Sequence, residues 1–149
     1  MLNHVIVPLD GSELAEEAII HAKEITRPQG KITLLSAIDV PEVPIYGYYP
    51  PAAIPDYDAA EENLLPRAQE YLENIGKQLK ADGYVVNIEA HVGEPANVIV
   101  ETAERLEVDA IVMSTHGRSG LSRWLFGSVT NKVLSASCCP VYVVPSRKK

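Results

Sequence analysis

The sequence predicts one α/β domain built on a doubly wound parallel sheet of five strands, with helices on both faces. Apolar runs of strand length alternate along the chain with stretches whose apolar residues have helical spacing. The predicted strands lack polar alternation, which is typical of parallel strands buried on both faces. A chain of 149 residues without a visible linker or repeat is assigned to one domain, residues 1–149.

The first part of the chain contains a strand, a helix and a second strand. The strands are predicted over residues 4–9 and 31–38, and Ser12 suits the N-cap of the helix between them. Helical spacing places four apolar side chains on one face of this helix: Leu14, Ala18, Ala22 and Ile25. Pro28 and Gly30 are expected to end it.

Residues 39–58 form an unusual segment that holds five of the eleven prolines and four of the seven tyrosines. This proline content excludes a regular helix. The tyrosines Tyr46, Tyr48 and Tyr49 are consistent with a flap over a crevice, a partner surface or a loop packed on the domain. The sequence alone does not separate these alternatives.

The remaining elements continue the alternation. Helical spacing between Leu64 and Leu79 predicts a second helix, with Pro66 in its first turn or at a kink and Gly83 at its end. A third helix is predicted to start near Pro95, and a last helix spans residues 128–137. Three further strands are predicted at residues 84–91, 109–114 and 141–144. The total is five strands.

Composition restricts the class of function. A net charge of −7 disfavours nucleic-acid binding, which requires a basic surface. No apolar run approaches the ~20 residues of a membrane span, so we expect a cytoplasmic protein without membrane contact. The adjacent Cys138 and Cys139 are predicted to be small buried residues; a redox role is the alternative.

The loop after the fourth strand contains the most informative residues. Gly117, Gly120 and Gly127 precede a helix that starts at Ser128. Glycines let backbone amides approach an anion, and the start of a helix adds unpaired amides and the positive end of its dipole. The spacing is neither that of a Walker loop nor that of a dinucleotide fingerprint. The pattern nevertheless predicts a phosphate cradle.

The spacing of these glycines resembles the nucleotide-binding signature of the universal stress protein family: Gly, two residues, Gly, nine residues, Gly and Ser or Thr. Gly117 and Gly127-Ser128 match it, whereas Ser114 stands where ATP-binding members usually have the first glycine. Three other stretches resemble the family in order and spacing: residues 5–12, 93–95 and 139–144. The resemblance implies the strand order 3-2-1-4-5 and an adenine nucleotide, above all ATP with Mg²⁺.

In that strand order a crevice opens at the carboxyl ends of the first and fourth strands. Asp10 is placed there to accept hydrogen bonds from a ribose; the alternative is that it caps the following helix. The resemblance implies that Pro8 and Asp10 line the adenosine pocket and that the backbone of Ala37 pairs with adenine. We expect Met113 to pack on the base, and Gly117 with residues 127–130 to surround the phosphates. His116 either contacts a phosphate or orders the loop. The candidate binding residues are Pro8, Leu9, Asp10, Ala37, Met113, Ser114, His116, Gly117, Arg118, Gly120, Gly127, Ser128, Val129 and Thr130.

The sequence offers no catalytic residues, because nucleophile motifs are missing and its histidines fall on different elements. The expected function is an ATP-binding regulatory protein of the stress response that acts on an unknown protein partner. The alternatives are a slow ATPase and a dimeric interaction module without bound nucleotide. The last strand would lie at the sheet edge and form a homodimer through four residues: Val141, Tyr142, Val143 and Val144.

Overall fold

The computed structural model describes residues 1–40, 42–45, 52–115 and 127–145. The strands within these ranges are β1 (Leu2–Pro8), β2 (Thr26–Ile38), β3 (Glu42–Ile45), β4 (Ala52–Pro55), β5 (Val85–Val92), β6 (Ala110–Ser114) and β7 (Val141–Val144). The helices are α1 (Glu13–Ile25), α2 (Tyr57–Ala59), α3 (Leu65–Ala81), α4 (Pro95–Arg105) and α5 (Ser128–Ala136). A π-helical turn, Ala60–Leu64, joins α2 to α3.

The main sheet has five parallel strands in the order β5-β2-β1-β6-β7. Numbered along the chain, this is 3-2-1-4-5, so the predicted fold is confirmed. Val5 and Val7 of β1 point into a core that is closed by α1 and α3. Ile6, between them, points into a second core closed by α4 and α5. Helices therefore cover both faces of the sheet.

A second sheet consists of β3 and β4, which pair antiparallel between Glu42↔Pro55 and Ile45↔Ala52. Among the described residues of 39–58, none up to Pro55 is helical, as predicted. The prediction is wrong at Tyr57 and Asp58, which belong to α2, because Asp56 caps this helix after the last proline of the segment. The hairpin itself was not predicted. Prolines are compatible with it because both strands of a two-stranded sheet are edge strands. The tyrosines Tyr46, Tyr48 and Tyr49 lie outside the described residues.

The boundary between α1 and β2 differs from the prediction. α1 ends at Ile25, where Thr26 donates a hydrogen bond from Oγ1 to the Ala22 carbonyl at 2.6 Å. β2 then begins at Thr26 rather than at residue 31, so Pro28 and Gly30 lie in the strand. The register between β1 and β2 shifts after Leu2↔Thr26, which leaves room for Gln29 at a φ of 65°. Because the pairing at the start of β2 is irregular, the sequence pattern did not predict that the strand begins at Thr26.

The apolar face of α1 agrees with the prediction at Ala18, Ala22 and Ile25 and differs at its start. Ala15, Ala18 and Ala22 are buried, whereas the predicted Leu14 is only partly covered. These small side chains let the helix approach the sheet closely. The prediction was therefore wrong at Leu14, where the neighbouring Ala15 is the buried residue.

The expectation that all strands lack polar alternation is wrong for β5. Its Val86, Ile88 and Ala90 pack on the α1 and α3 core, while Asn87, Glu89 and His91 occupy the other face. β5 is an edge strand, and on that side α4 packs on its neighbour β2. Arg105 at the end of α4 and His91 pair with the Glu89 carboxylate. Burial of the Glu89 carboxyl group raises its pKa, but Arg105 and His91 together outweigh this effect and hold the pKa of Glu89 below its usual value.

The C-terminal ends of α1 and α3 are joined by two contacts. Lys23 Nζ lies 2.7 Å from Asp82 Oδ2, and the Tyr84 hydroxyl donates to the Lys23 carbonyl at 3.0 Å. Gly83, with a φ of 99°, follows α3 and allows the sharp turn into β5. No helix in the described ranges is long and apolar enough to cross a membrane.

Candidate functional site

The carboxyl ends of β1, β2 and β6 surround a cavity of about 500 Å³, within the usual size range of small-molecule sites. Ten of the fourteen predicted binding residues line it: Pro8, Leu9, Asp10, Ala37, Met113, Ser114, Gly127, Ser128, Val129 and Thr130. The other four lie outside the described residues: His116, Gly117, Arg118 and Gly120. The crevice thus lies where the strand order placed it, and ligand contact by these residues stays a prediction.

The turn between β1 and α1 forms one side of the crevice. Gly11 has a φ of 86°, in the left-handed region that favours glycine. The Asp10 Oδ1 atom accepts a hydrogen bond from the Ser12 amide at 2.9 Å, which closes the turn. Ser12 Oγ accepts from the Ala15 amide, so Ser12 caps α1 and the alternative role of Asp10 as helix cap is wrong.

The backbone of β2 presents an unpaired edge to the crevice. The Leu35 carbonyl accepts from the Leu9 amide on the β1 side, whereas the Ile38 carbonyl accepts from the Gly93 amide on the β5 side. Because backbone groups alternate in direction along a strand, the N–H and C=O of Ala37 point to the β1 side. β1 has already ended there, so both groups of Ala37 face the cavity.

The start of α5 forms the opposite side. Gly127 is its N-cap and supplies no side chain to the amides of the first turn. The first amide bonded within the helix is that of Asn131, which donates to the Gly127 carbonyl at 3.0 Å. The amides of residues 128–130 are therefore left without helical partners, a typical anion-binding arrangement. By contrast, Ser12 caps α1 and Glu94 caps α4 with their side chains.

Two threonines at this end of the crevice differ in their contacts. Thr130 is buried, and its Oγ1 atom lies 3.5 Å from the Ser114 carbonyl oxygen and 3.4 Å from that of Thr115. The Thr130 hydroxyl therefore faces the end of β6 and helps to seat α5 there. Thr115 is 6% exposed, and its Oγ1 atom has no hydrogen-bond partner among the described residues.

Eight lining residues were not predicted: Ala15, Ser36, Ile38, Asp39, Leu64, Pro95, Ile99 and Thr115. Some of them are chain neighbours of predicted residues, and this proximity could have identified them as lining residues. Leu64 had none, because a π-helical turn has no distinct sequence pattern, although such turns are frequent at functional sites. Leu64, Met113 and Ile99 give the cavity an apolar part.

The described residues contain no group of three or more His, Cys, Asp or Glu side chains that could hold a metal ion. Both cysteines are free thiols. Cys139 is half-buried, but Cys138 is exposed, so the prediction of two buried residues is wrong for Cys138. It lies in the turn before β7, outside the strand that would bury it.

The chain is similar to proteins of known family over nearly all its length. A model of the universal stress protein family matches residues 1–145. Universal stress protein MJ0531 of Methanocaldococcus jannaschii is 36% identical over 146 residues, covering 97% of this chain and 83% of that protein. Universal stress protein MJ0577 of the same organism is 34% identical over 154 residues, covering 97% and 95%.

Solved structures agree with these matches. The structure of MJ0577 has a TM-score of 0.79 at 31% identity and covers 99% of this chain and 98% of its own. Two more distant structures share the fold: a universal stress protein in complex with cAMP (TM-score 0.63, 24% identity, 97% of each chain) and an Arabidopsis thaliana member with AMP bound (TM-score 0.65, 20% identity, 97% and 92%). From its sequence and its fold, the chain belongs to the universal stress protein family.

Proposed function

We propose that this protein binds an adenine nucleotide, ATP in the first instance, in the crevice between β1 and β6. One observation carries the proposal: a single cavity has an outward-facing backbone edge at Ala37 and, on its opposite side, the uncapped first turn of α5. The first is suited to the edge of a base, and the second to a phosphate. Asp10 lies between them at the end of β1.

The charges in the crevice set the direction of the nucleotide. Asp39 and Asp10 follow β2 and β1, so two carboxylates lie at the base and ribose end. They repel phosphate groups and accept hydrogen bonds from hydroxyl or amino groups. The amides of residues 128–130 attract anions at the other end. A nucleotide therefore enters with adenine towards Ala37 and its phosphates towards α5.

A magnesium ion fits this site only as a companion of the nucleotide. The described residues hold no cluster of three ligating side chains, and Mg²⁺ commonly takes its ligands from phosphates and water with one or two carboxylates. We therefore assign the cation to the triphosphate rather than to a separate protein site. Asp10 is the one carboxylate among the predicted binding residues, and it lines the cavity.

The proposed role is nucleotide-dependent regulation in the stress response rather than rapid turnover. The family provides the general context, and the cAMP and AMP complexes of two members of the same fold support adenine nucleotides as the ligand class. Binding would stabilise one conformation of the residues around the crevice and thereby alter the surface offered to a protein partner. A cytoplasmic location stays part of this prediction.

We also propose that β7 forms a homodimer. The Pro140 carbonyl accepts from the amide of Ile111 in β6, and the Val144 carbonyl accepts from the amide of Thr115, directly after β6. The backbone groups of the alternate residues, Val141 and Val143, therefore point away from the sheet. Tyr142 is 42% exposed. An unpaired edge of this kind pairs readily with the same strand of a second copy in antiparallel orientation.

The test of nucleotide binding is to denature the purified protein and identify any released nucleotide by chromatography and mass spectrometry. We expect ATP, and calorimetric titration of stripped protein should give saturable ATP binding that weakens in Ser128→Ala. Ser135→Ala is the matched control, because Ser135 is an exposed serine of α5 that lies outside the lining of the cavity. Release of ADP with measurable turnover would favour the slow ATPase. A pocket that stays empty on titration would reject nucleotide binding.

A further inference from the structure

The backbone of the last strand determines which of its groups can pair with a second copy. β7 ends the sheet, and Val141 and Val143 point their amides and carbonyls away from β6. Just before this strand, Cys139 has both backbone groups in use: its amide donates to Ser137 Oγ at 3.2 Å, and its carbonyl accepts from the same hydroxyl at 2.9 Å. Just after the strand, Pro145 has no amide proton. The outward edge therefore offers two complete donor and acceptor pairs, those of Val141 and Val143.

The limits on either side of these two residues select one register of antiparallel pairing. Directly opposite residues in such a pair alternate between those that exchange two hydrogen bonds and those that exchange none. With Val141 opposite the partner's Val141, Val143 would meet the partner's Cys139, whose backbone groups are in use. With Val143 opposite the partner's Val143, Val141 would meet the partner's Pro145, which cannot donate. Of these registers, only Val141 opposite the partner's Val143 pairs every outward group of both strands.

We propose that two copies pair in this register, so that Tyr142 lies directly opposite the partner's Tyr142, an inference that rests on the proposed homodimer. A two-fold axis perpendicular to the sheet keeps both tyrosines on the same face. That face is the one covered by α1, because Val144, two residues further on, is buried in the core under α1. The ring of His21 in α1 lies 6.2 Å from the ring of Tyr142, centroid to centroid. Cα atoms of a pair without mutual hydrogen bonds are only ~4.5 Å apart, so the two tyrosine rings are in contact.

A groove beside Tyr142 provides further contact. It has a volume of about 480 Å³ and is lined largely by apolar residues, among them Met1, Ile25 and Pro140. The partner's Tyr142 lies diagonally opposite Pro140, a separation of about 7–8 Å that aromatic side chains span. Backbone pairing of a four-residue strand alone buries little surface compared with the ~800 Å² per partner of a stable interface. The groove supplies apolar area that the pairing lacks.

Cysteine cross-linking tests the register. In a chain with Cys138→Ala and Cys139→Ala, we expect Tyr142→Cys to give a covalent dimer as the main product when oxidised glutathione is added, because the Cα separation suits a disulfide. Val141→Cys and Val143→Cys are the matched controls, because each would cross-link to its own copy only in one of the two rejected registers. Without added cysteines, Tyr142→Ala should raise the dissociation constant of the dimer at least about tenfold, whereas Tyr142→Phe should match the wild type.

Light scattering of the wild type separates this inference from the homodimer itself. A wild-type dimer with cross-linking confined to Tyr142→Cys supports both. A wild-type dimer in which Val141→Cys or Val143→Cys cross-links instead, or in which Tyr142→Ala dissociates no more readily, would overturn the inference and leave the β7 dimer standing. Val85 is exposed on β5 at the other edge of the sheet, so equal cross-linking of Val85→Cys would indicate random collision and overturn the register. A wild-type monomer would overturn both.

Discussion

Glu94 is expected to stabilise one wall of the crevice through the cap of α4. Its Oε2 atom accepts from the Asn97 amide at 2.9 Å, and its Oε1 atom accepts from the Ala96 amide at 3.3 Å. Lys132 of α5 lies 3.6 Å from Oε1, but its side chain is 64% exposed. Losing a cap costs about 1 kcal/mol, and an exposed ion pair adds less than about 0.5 kcal/mol. Glu94→Ala should therefore lower the free energy of unfolding by about 1 to 1.5 kcal/mol.

Urea denaturation followed by circular dichroism measures this change. Glu94→Gln keeps one acceptor oxygen and should lose about half as much. Lys132→Met should change stability by less than about 0.5 kcal/mol, and the double variant should show little coupling. If Glu94→Ala is within about 0.3 kcal/mol of the wild type, or if the coupling to Lys132 accounts for the loss, the capping argument is refuted.

The same side chain has a defined pH dependence. The Asn97 amide is the main reason that the pKa of Glu94 is lowered in the folded protein; burial opposes it, and Ala96 and Lys132 add to it. The unfolded chain therefore binds the proton first as the pH falls. The ionised carboxylate contributes its full stabilisation above the pKa of Glu94 in the unfolded chain, and this stabilisation is lost as the pH falls through the lower pKa of the folded protein. The difference in the free energy of unfolding between wild type and Glu94→Ala should therefore narrow from pH 7 towards acid pH. A constant difference would contradict the pKa shift.

Three further predictions concern the ligand and the assembly. Ser114→Gly should keep or raise ATP affinity, because it removes a side chain from the cavity wall; a clear loss in calorimetry would show that Ser114 contacts the ligand. Gly127→Val should abolish ATP binding in a folded protein, since the φ of −62° and ψ of 161° suit any residue and only the approach of the ligand is blocked; wild-type affinity would exclude the α5 amides as the phosphate site. Val143→Pro should give a monomer by light scattering, because it removes an outward amide without breaking the pairing with β6; wild-type protein that is already monomeric at micromolar concentration would reject the dimer.

The sequence was most informative where burial is simple. Strands such as β1 and β6 are covered on both faces, so their apolar runs were unambiguous. β5 is an edge strand, and its apolar residues alternate with Asn87, Glu89 and His91. This alternation arises because α4 packs on β2 and leaves one face of β5 uncovered, and the packing position of a helix cannot be read from the sequence. The β3–β4 hairpin was missed because its prolines are compatible with strand only when both strands are edges.

The candidate site was predictable where its residues follow strands directly. Asp10 and Ser114 were identified in this way, and the structure places both at the cavity. Leu64 and Ile99 come from a π-helical turn and a helix that reach the cavity only through tertiary packing. Thr115 adjoins the predicted Ser114, so its place at the cavity could have been predicted, whereas its burial could not.

The contacts between Lys23, Asp82 and Tyr84 have a mechanical consequence. They join α1 and α3 at their C-terminal ends, whereas both helices begin near the crevice, α1 after Asp10 and α3 after Leu64. When two helices rotate relative to each other about joined ends, the displacement is smallest at those ends and largest at the opposite ends, here their first turns. Any change in the angle between α1 and α3 about the contacts of Lys23 and Asp82 would therefore alter the side of the cavity that these helices border.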